Sequence, residues 1–211
     1  MLAAIALICH TGWSQEEDKN LKRSEEVLRE FSEKTESYES IKAEFTYKME
    51  NREAGINESK DGVIWISGDK YHLSIAGQVV ISDGTTLWTY LRDADEVQVN
   101  TVEEDSESLT PSSLLTSYDD DYKSKFIKET FLYGTTVNII ELIPMEGKTY
   151  YKVRLVIDKD SHQLHEAAIF DKNGSTYSYV IKSFEPNINP EPGKFTFDPG
   201  DYPEVEVIDM R

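Results

Sequence analysis

The 211-residue chain holds one cysteine, Cys9. It sits in the first apolar stretch, so the rest of the chain forms no disulfide and depends on its core alone for stability. Cations are scarce as well: 22 Lys and Arg face 40 Asp and Glu, for a net charge of −18. Such a surface is expected to repel phosphate backbones and anionic lipid surfaces alike, which excludes nucleic acid as a partner. The acidic clusters Glu103-Glu104-Asp105 and Asp119-Asp120-Asp121 read as solvated loops. After residue 15 there is no apolar run of about 18 residues, the length a transmembrane helix needs.

Catalytic signatures are missing too. The chain has no G-x-S-x-G elbow, no P-loop, no G-x-G-x-x-G and no H-E-x-x-H. His162 and His165 stand near Asp158 and Asp160, but a strand places residues three apart on opposite faces, so this segment reads as a hairpin turn and not a metal site. Asp171–Ser175 resembles part of a calcium loop without its downstream acidic ligands, and reads as a turn. Neither enzymatic activity nor a cofactor is expected.

What is present is apolar and periodic. Residues 1–14, "MLAAIALICHTGWS", are uncharged, with an apolar core at Leu2–Ile8 and small or polar residues before the acidic "EEDKN". This is the pattern of a secretory signal removed near Ser14 or Gln15, leaving a mature domain of 15–211. Its lack of a basic n-region points to a start upstream of Met1. Cys9 follows Ile8, where a lipoprotein signal needs a small residue, so no lipid anchor is expected there. Between Asp18 and Tyr38, Leu21, Val27, Leu28 and Phe31 recur at helical spacing.

From Ile41 the period becomes two. Ile41, Ala43, Phe45, Tyr47 and Met49 alternate with Lys42, Glu44, Thr46, Lys48 and Glu50, as in a half-buried strand. About ten strands follow in sequence, separated by turn signals such as Asp83-Gly84 and Asn173-Gly174, the latter read as a two-residue type I′ hairpin. The one interruption, "SLTPSSLLTSYDDDY", has Thr110 as a cap and Pro111 at the first helical position. It predicts a short helix presenting Leu114, Leu115 and Tyr118. A sequential antiparallel sheet of this size has to curl or close. Strands such as "VIWI" and "LWTYL" are apolar on both faces, so the sheet is covered on one side and either packed or open to an apolar ligand on the other. Periodicity alone leaves both possibilities standing.

Several stretches, in order, resemble the periplasmic outer-membrane lipoprotein carrier family, LolA. They are S-D-G-x-T-x-W-x-Y at Ser82–Tyr90, T-P-x-x-L-L at Thr110–Leu115, and a closing F-x-F-x-P followed by V-x-V-x-D. The similarity runs from about Ser40 to Asp209. It implies a mainly β, single-domain fold, an unclosed antiparallel β-barrel of about eleven strands under a helical lid. It further implies a monomeric, non-enzymatic periplasmic carrier that shields the acyl chains of lipoproteins between inner and outer membrane. Its cargo is acylated lipoprotein and its donor an inner-membrane ABC-type lipoprotein-releasing transporter; the outer-membrane acceptor is unspecified. The candidate cavity and lid residues are Phe45, Trp65, Tyr71, Leu73, Ile81, Trp88, Tyr90, Leu114, Leu115, Tyr118 and Leu155. The sequence departs from the family at the turn after "GVIWI". There an arginine is thought to latch the lid, whereas this chain has Ser67-Gly68-Asp69-Lys70; lysine cannot reproduce an arginine's bidentate fork. A module of the same fold that senses lipids or lipoproteins is the alternative reading.

Overall fold

The computed structural model describes residues 10–102, 121–145, 147–202 and 204–211. A 27-residue helix, α1 (His10–Glu36), leads into β1 (Ile41–Asn51), β2 (Ile56–Ser67), β3 (Lys70–Ile75), β4 (Gln78–Ser82), β5 (Thr86–Leu91) and β6 (Glu96–Thr101). A second run comprises β7 (Tyr122–Leu132), β8 (Thr135–Pro144), β9 (Tyr150–Asp158), β10 (Leu164–Asp171) and β11 (Thr176–Pro186), and the chain closes with β12 (Glu206–Asp209). All twelve strands form one sheet in the order β12-β6-β5-β4-β3-β2-β1-β11-β10-β9-β8-β7. Two meanders are thus welded through the antiparallel β1–β11 pair, and the outermost strands, β7 and β12, do not pair to close a barrel.

The expected unclosed antiparallel sheet is observed with two differences. Among the described residues there are twelve strands, and the last, β12, lies parallel to β6, because the chain crosses the back of the sheet before returning to its edge. The Asn173-Gly174 connection is also wider than a two-residue turn. Only Gly174 takes a positive φ (85°), and Asp171 N–H donates to the Ser175 carbonyl at 2.9 Å, so four residues separate the strands.

Local chemistry explains the Ser82-Asp83-Gly84 turn. The buried Ser82 hydroxyl accepts from Gly84 N–H (3.1 Å), and Asp83 Oδ1 accepts from the N–H groups of Thr85 (2.9 Å) and Thr86 (2.7 Å). Gly84 supplies the φ of +93° that an L side chain adopts rarely. The Thr86 N–H chiefly holds the Asp83 carboxyl below its ordinary range against the opposing effect of burial, with Thr85 N–H and Lys70 assisting.

Helix α1 covers one half of one sheet face. Val27, Leu28 and Phe31 pack on Ile140 and Leu142 of β8, Val153, Leu155 and Ile157 of β9, and Ala167 of β10. Burying such side chains is worth about 1.5–3 kcal/mol each, which fixes the helix in place. The Ser24 hydroxyl bonds the Ser124 hydroxyl at 2.9 Å, tying the helix to β7.

Candidate ligand-binding face

Strand register assigns every side chain to one of two faces. The face under α1, called inner, continues across β1 through Phe45 and Tyr47, which pair with Ile181 and Tyr179 of β11. It then runs through Ile64 and Ile66 of β2, Tyr71, Leu73 and Ile75 of β3, Val80 of β4 and Leu87 of β5. These residues form a second apolar cluster to which only Tyr38, just beyond α1, contributes from the helical side among the described residues. Leu73, Ile75, Val80 and Leu87 are half-buried, whereas Leu155 beneath α1 is fully buried. One half of the inner face is therefore sealed by the helix, and the other half is a shallow aliphatic and aromatic wall.

At one end of this wall stands a group of tyrosines. Tyr47 stacks near Tyr177 at 6.5 Å and meets Tyr179 at 5.4 Å, and Phe45 meets Tyr179 at 5.8 Å. The hydroxyls of Tyr47, Tyr177 and Tyr179 have no hydrogen-bond partner among the described residues. Burial, with a smaller contribution from Tyr47 and Tyr177, pushes the Tyr179 hydroxyl up to about 12, so it stays a neutral donor at any physiological pH. At the opposite end, a crevice of about 310 Å³ opens between Tyr38, Ile41, Ile66 and the Gly68-Asp69 turn.

The outer face is closed differently. Val79 and Ile81 of β4, Trp88 and Tyr90 of β5, and Val97 and Val99 of β6 point outward and are roofed by Phe197, Tyr202 and Val205 of the C-terminal segment. Phe197 stacks on Tyr202 at 5.1 Å, which in turn meets Tyr90 at 5.0 Å. Lys194 lies over the Trp65 ring at 3.5 Å, and His72 Nδ1 donates to the Lys194 carbonyl at 2.9 Å.

The candidates from the sequence consequently divide. Phe45, Tyr71, Leu73 and Leu155 lie on the inner face, the last sealed under α1. Trp65, Ile81, Trp88 and Tyr90 lie on the outer face under the C-terminal segment, so they share no surface with the first group. Leu114, Leu115 and Tyr118, with the helix expected after Pro111, fall outside the described residues. Sequence reasoning left out Tyr177, Tyr179, Ile75, Val80 and Leu87 as site residues; the shared parity of Phe45 and Tyr47 was the available pointer to the tyrosine group. Among the described residues no cluster of three or more His, Cys, Asp or Glu side chains could hold a metal ion, and no helix is long and apolar enough to cross a membrane.

The sequence profile described as outer membrane lipoprotein carrier protein LolA matches residues 36–198. The chain belongs to the LolA family. Two relatives carry the name outer-membrane lipoprotein carrier protein. The one from Alkalilimnicola ehrlichii is 26% identical over 170 residues, spanning 79% of this chain and 77% of that protein. The one from Serratia proteamaculans is 24% identical over 165 residues, covering 76% and 77%. Among solved structures, an uncharacterized conserved protein from Thermus thermophilus superposes with a TM-score of 0.61 at 11% identity, over 89% of this chain and 99% of that one, a likeness of fold. In this LolA-family chain, the turn after β2, which lacks the arginine, is the two-residue connection Gly68-Asp69, and the next residue, Lys70, helps depress the Asp83 carboxyl.

Proposed function

We propose that this protein is a non-enzymatic, monomeric carrier that shields lipoprotein acyl chains against the inner face of β1–β5 and moves them through the periplasm. The observation that carries this reading is the uneven cover of that face: α1 seals β8–β10, while Leu73, Ile75, Val80 and Leu87 remain half-buried. Leu114, Leu115 and Tyr118, which lie outside the described residues, are assigned by this reading to a lid that the cargo displaces. Export fits α1 as well. Removing residues 1–14 takes the start of the helix and leaves the packed residues Val27, Leu28 and Phe31 untouched.

The energetics favour a shuttle. Each acyl methylene taken from water contributes about 0.8 kcal/mol, so complete enclosure of a lipid chain would be nearly irreversible. A wall on one side, closed by a lid that must first give up its own apolar contacts, lowers the net affinity to a value from which cargo can leave. Lipoproteins would be received from an inner-membrane ABC-type releasing transporter and handed on at the outer membrane. Native mass spectrometry of the protein isolated from the periplasm tests the reading. Co-purifying acylated lipoprotein is expected; recovery of the bare chain from lipoprotein-replete cells, or of free lipid alone, contradicts it.

A further inference from the structure

We propose that the β7 edge of the sheet docks side-on against an anionic lipid surface. Of the ten exposed large hydrophobic residues among those described, seven lie on β7–β9 or their connections. Phe131 (70% exposed), Leu132 and Tyr133 crown the β7–β8 hairpin, Ile127 sits at the bulge midway along β7, and Ile143, Met145 and Tyr151 stand at the far end. Together they mark the length of one edge. Lys123, Lys125 and Lys128 are exposed on β7 between them and make no ion pair among the described residues.

Protection of an unpaired strand edge accounts for the lysines and the bulge, but it works by removing apolar groups from the edge. Here they are concentrated there. The hairpin turn sharpens the point: Tyr133 (φ 53°) and Gly134 (φ 81°) form a two-residue turn of the kind that Asn-Gly usually fills. A bulky residue at positive φ is held against its preference. The turn keeps an aromatic ring at the tip, stacked 5.3 Å from His165, with its hydroxyl donated to Glu166.

Charge identifies the occupant. Residues 121–172 contain eight Lys and Arg against eight Asp and Glu, so they add nothing to the net −18 of the chain. Several of those acids are already engaged: Glu129 pairs with Lys159, Glu141 with Lys152 and Arg154, and Glu166 takes the Tyr133 hydroxyl. Asp121, at the start of the strand, and Asp160, in the β9–β10 connection, are exposed and make no ion pair among the described residues. The acidic strands from β1 onward lie five strand spacings away, about 24 Å. Salt at physiological strength screens charge over about 8 Å, so their repulsion does not reach the edge; the charges that α1 brings beside Phe126 and Glu129 are mixed, Lys19, Lys22 and Arg23 with Glu16 and Glu26. Aromatic and aliphatic tips flanked by lysines are the composition that binds at a headgroup layer, the rings entering the interface and the ammonium groups meeting lipid phosphates. The proposal is independent of what the inner face carries.

The test is flotation of the purified full chain with phosphatidylcholine vesicles and with vesicles that also contain phosphatidylglycerol. Binding to the second and little to the first is expected, with loss at high salt. Joint Lys123→Glu, Lys125→Glu and Lys128→Glu changes should weaken it about a hundred-fold, at roughly five-fold per cation. Phe131→Ser should weaken it about ten-fold or more. All four side chains are exposed, so thermal unfolding should be unchanged; if the charge variant fails to fold, Phe131→Ser alone decides. Absence of binding to anionic vesicles, or equal binding by wild type and Phe131→Ser, overturns the proposal. Binding only to vesicles that contain membrane proteins overturns it in favour of a protein partner.

Discussion

Gly62→Ala probes the packing of the inner face. Gly62 pairs with Phe45 across β1–β2, and the far end of the Phe45 ring reaches over it. A Cβ at this position would stand 2.6 Å from Phe45 Cζ and 2.9 Å from Cε2. Carbon contacts relax near 3.5–4 Å, so the ring has to move by about 1 Å. Phe45 is 4% exposed and held on its far side by Tyr179, so the displacement is resisted. Overpacking of this kind costs about 1–3 kcal/mol. The lost freedom of glycine in the unfolded chain returns about 0.4–1 kcal/mol, for a net loss near 1–2 kcal/mol. In a chain of this length that lowers Tm by about 2–8 °C. Calorimetry and urea unfolding read the effect, and Phe45→Leu in the same chain should relieve part of it as a coupling of about 0.5–1 kcal/mol. An unchanged or raised Tm for Gly62→Ala, or strict additivity of the two substitutions, would refute the packing argument.

Asp158 should govern part of the acid limb of stability. Burial would raise its carboxyl, but the Ser161 N–H, the Thr135 and Ser161 hydroxyls and the Asp160 N–H outweigh it and leave the group well below its ordinary range. A depressed folded value gives stability that is present above about pH 4 and lost as pH falls further. Asp158→Ala should therefore cost about 1–3 kcal/mol at pH 7, with the gap to wild type narrowing in acid; a gap that is constant with pH counts against this. Phe197→Ala should cost about 3–5 kcal/mol and red-shift tryptophan emission by uncovering Trp88; a stable variant with unchanged emission would show that the C-terminal segment is not part of the core. The joint change of Tyr47, Tyr177 and Tyr179 to Phe should leave Tm within about 2 °C, because their hydroxyls bond no described group; a large loss would reveal a hidden network.

The strands were legible because their period is two and their turns carry Gly, Asp and Asn at the right places. Helix α1 was legible from Leu21, Val27, Leu28 and Phe31, three of which are buried and one exposed. What periodicity could not reveal was facing. In "QVVIS" and "TLWTYL" both parities are apolar, and only register shows that Val80 and Leu87 point inward while Ile81 and Trp88 point outward. Those outward residues are apolar because Phe197, Tyr202 and Val205 return over them from more than ninety positions later, a contact with no local signature. The opening of β2 was missed for a related reason. Asn57–Asp61 is wholly polar and exposed, and it is a strand because it pairs residue by residue with the end of β1. Tyr133 at positive φ was equally hidden, since turn propensity favours other residues there.

The division of the sheet into an inner wall and a roofed outer face leads to the most direct measurement. A photo-reactive phenylalanine analogue would be placed singly at Leu73, Val80 and Leu87, and in parallel at Trp88 and Tyr90, and irradiated in cells producing acylated lipoproteins. Strand parity puts the first three on the inner face and the other two beneath Phe197 and Tyr202. Crosslinks to acylated lipoprotein from Leu73, Val80 and Leu87, with none from Trp88 or Tyr90, are the predicted result. Crosslinks from the outer pair, or from neither set while the protein remains folded, would contradict the assignment of the inner face as the acyl-binding surface.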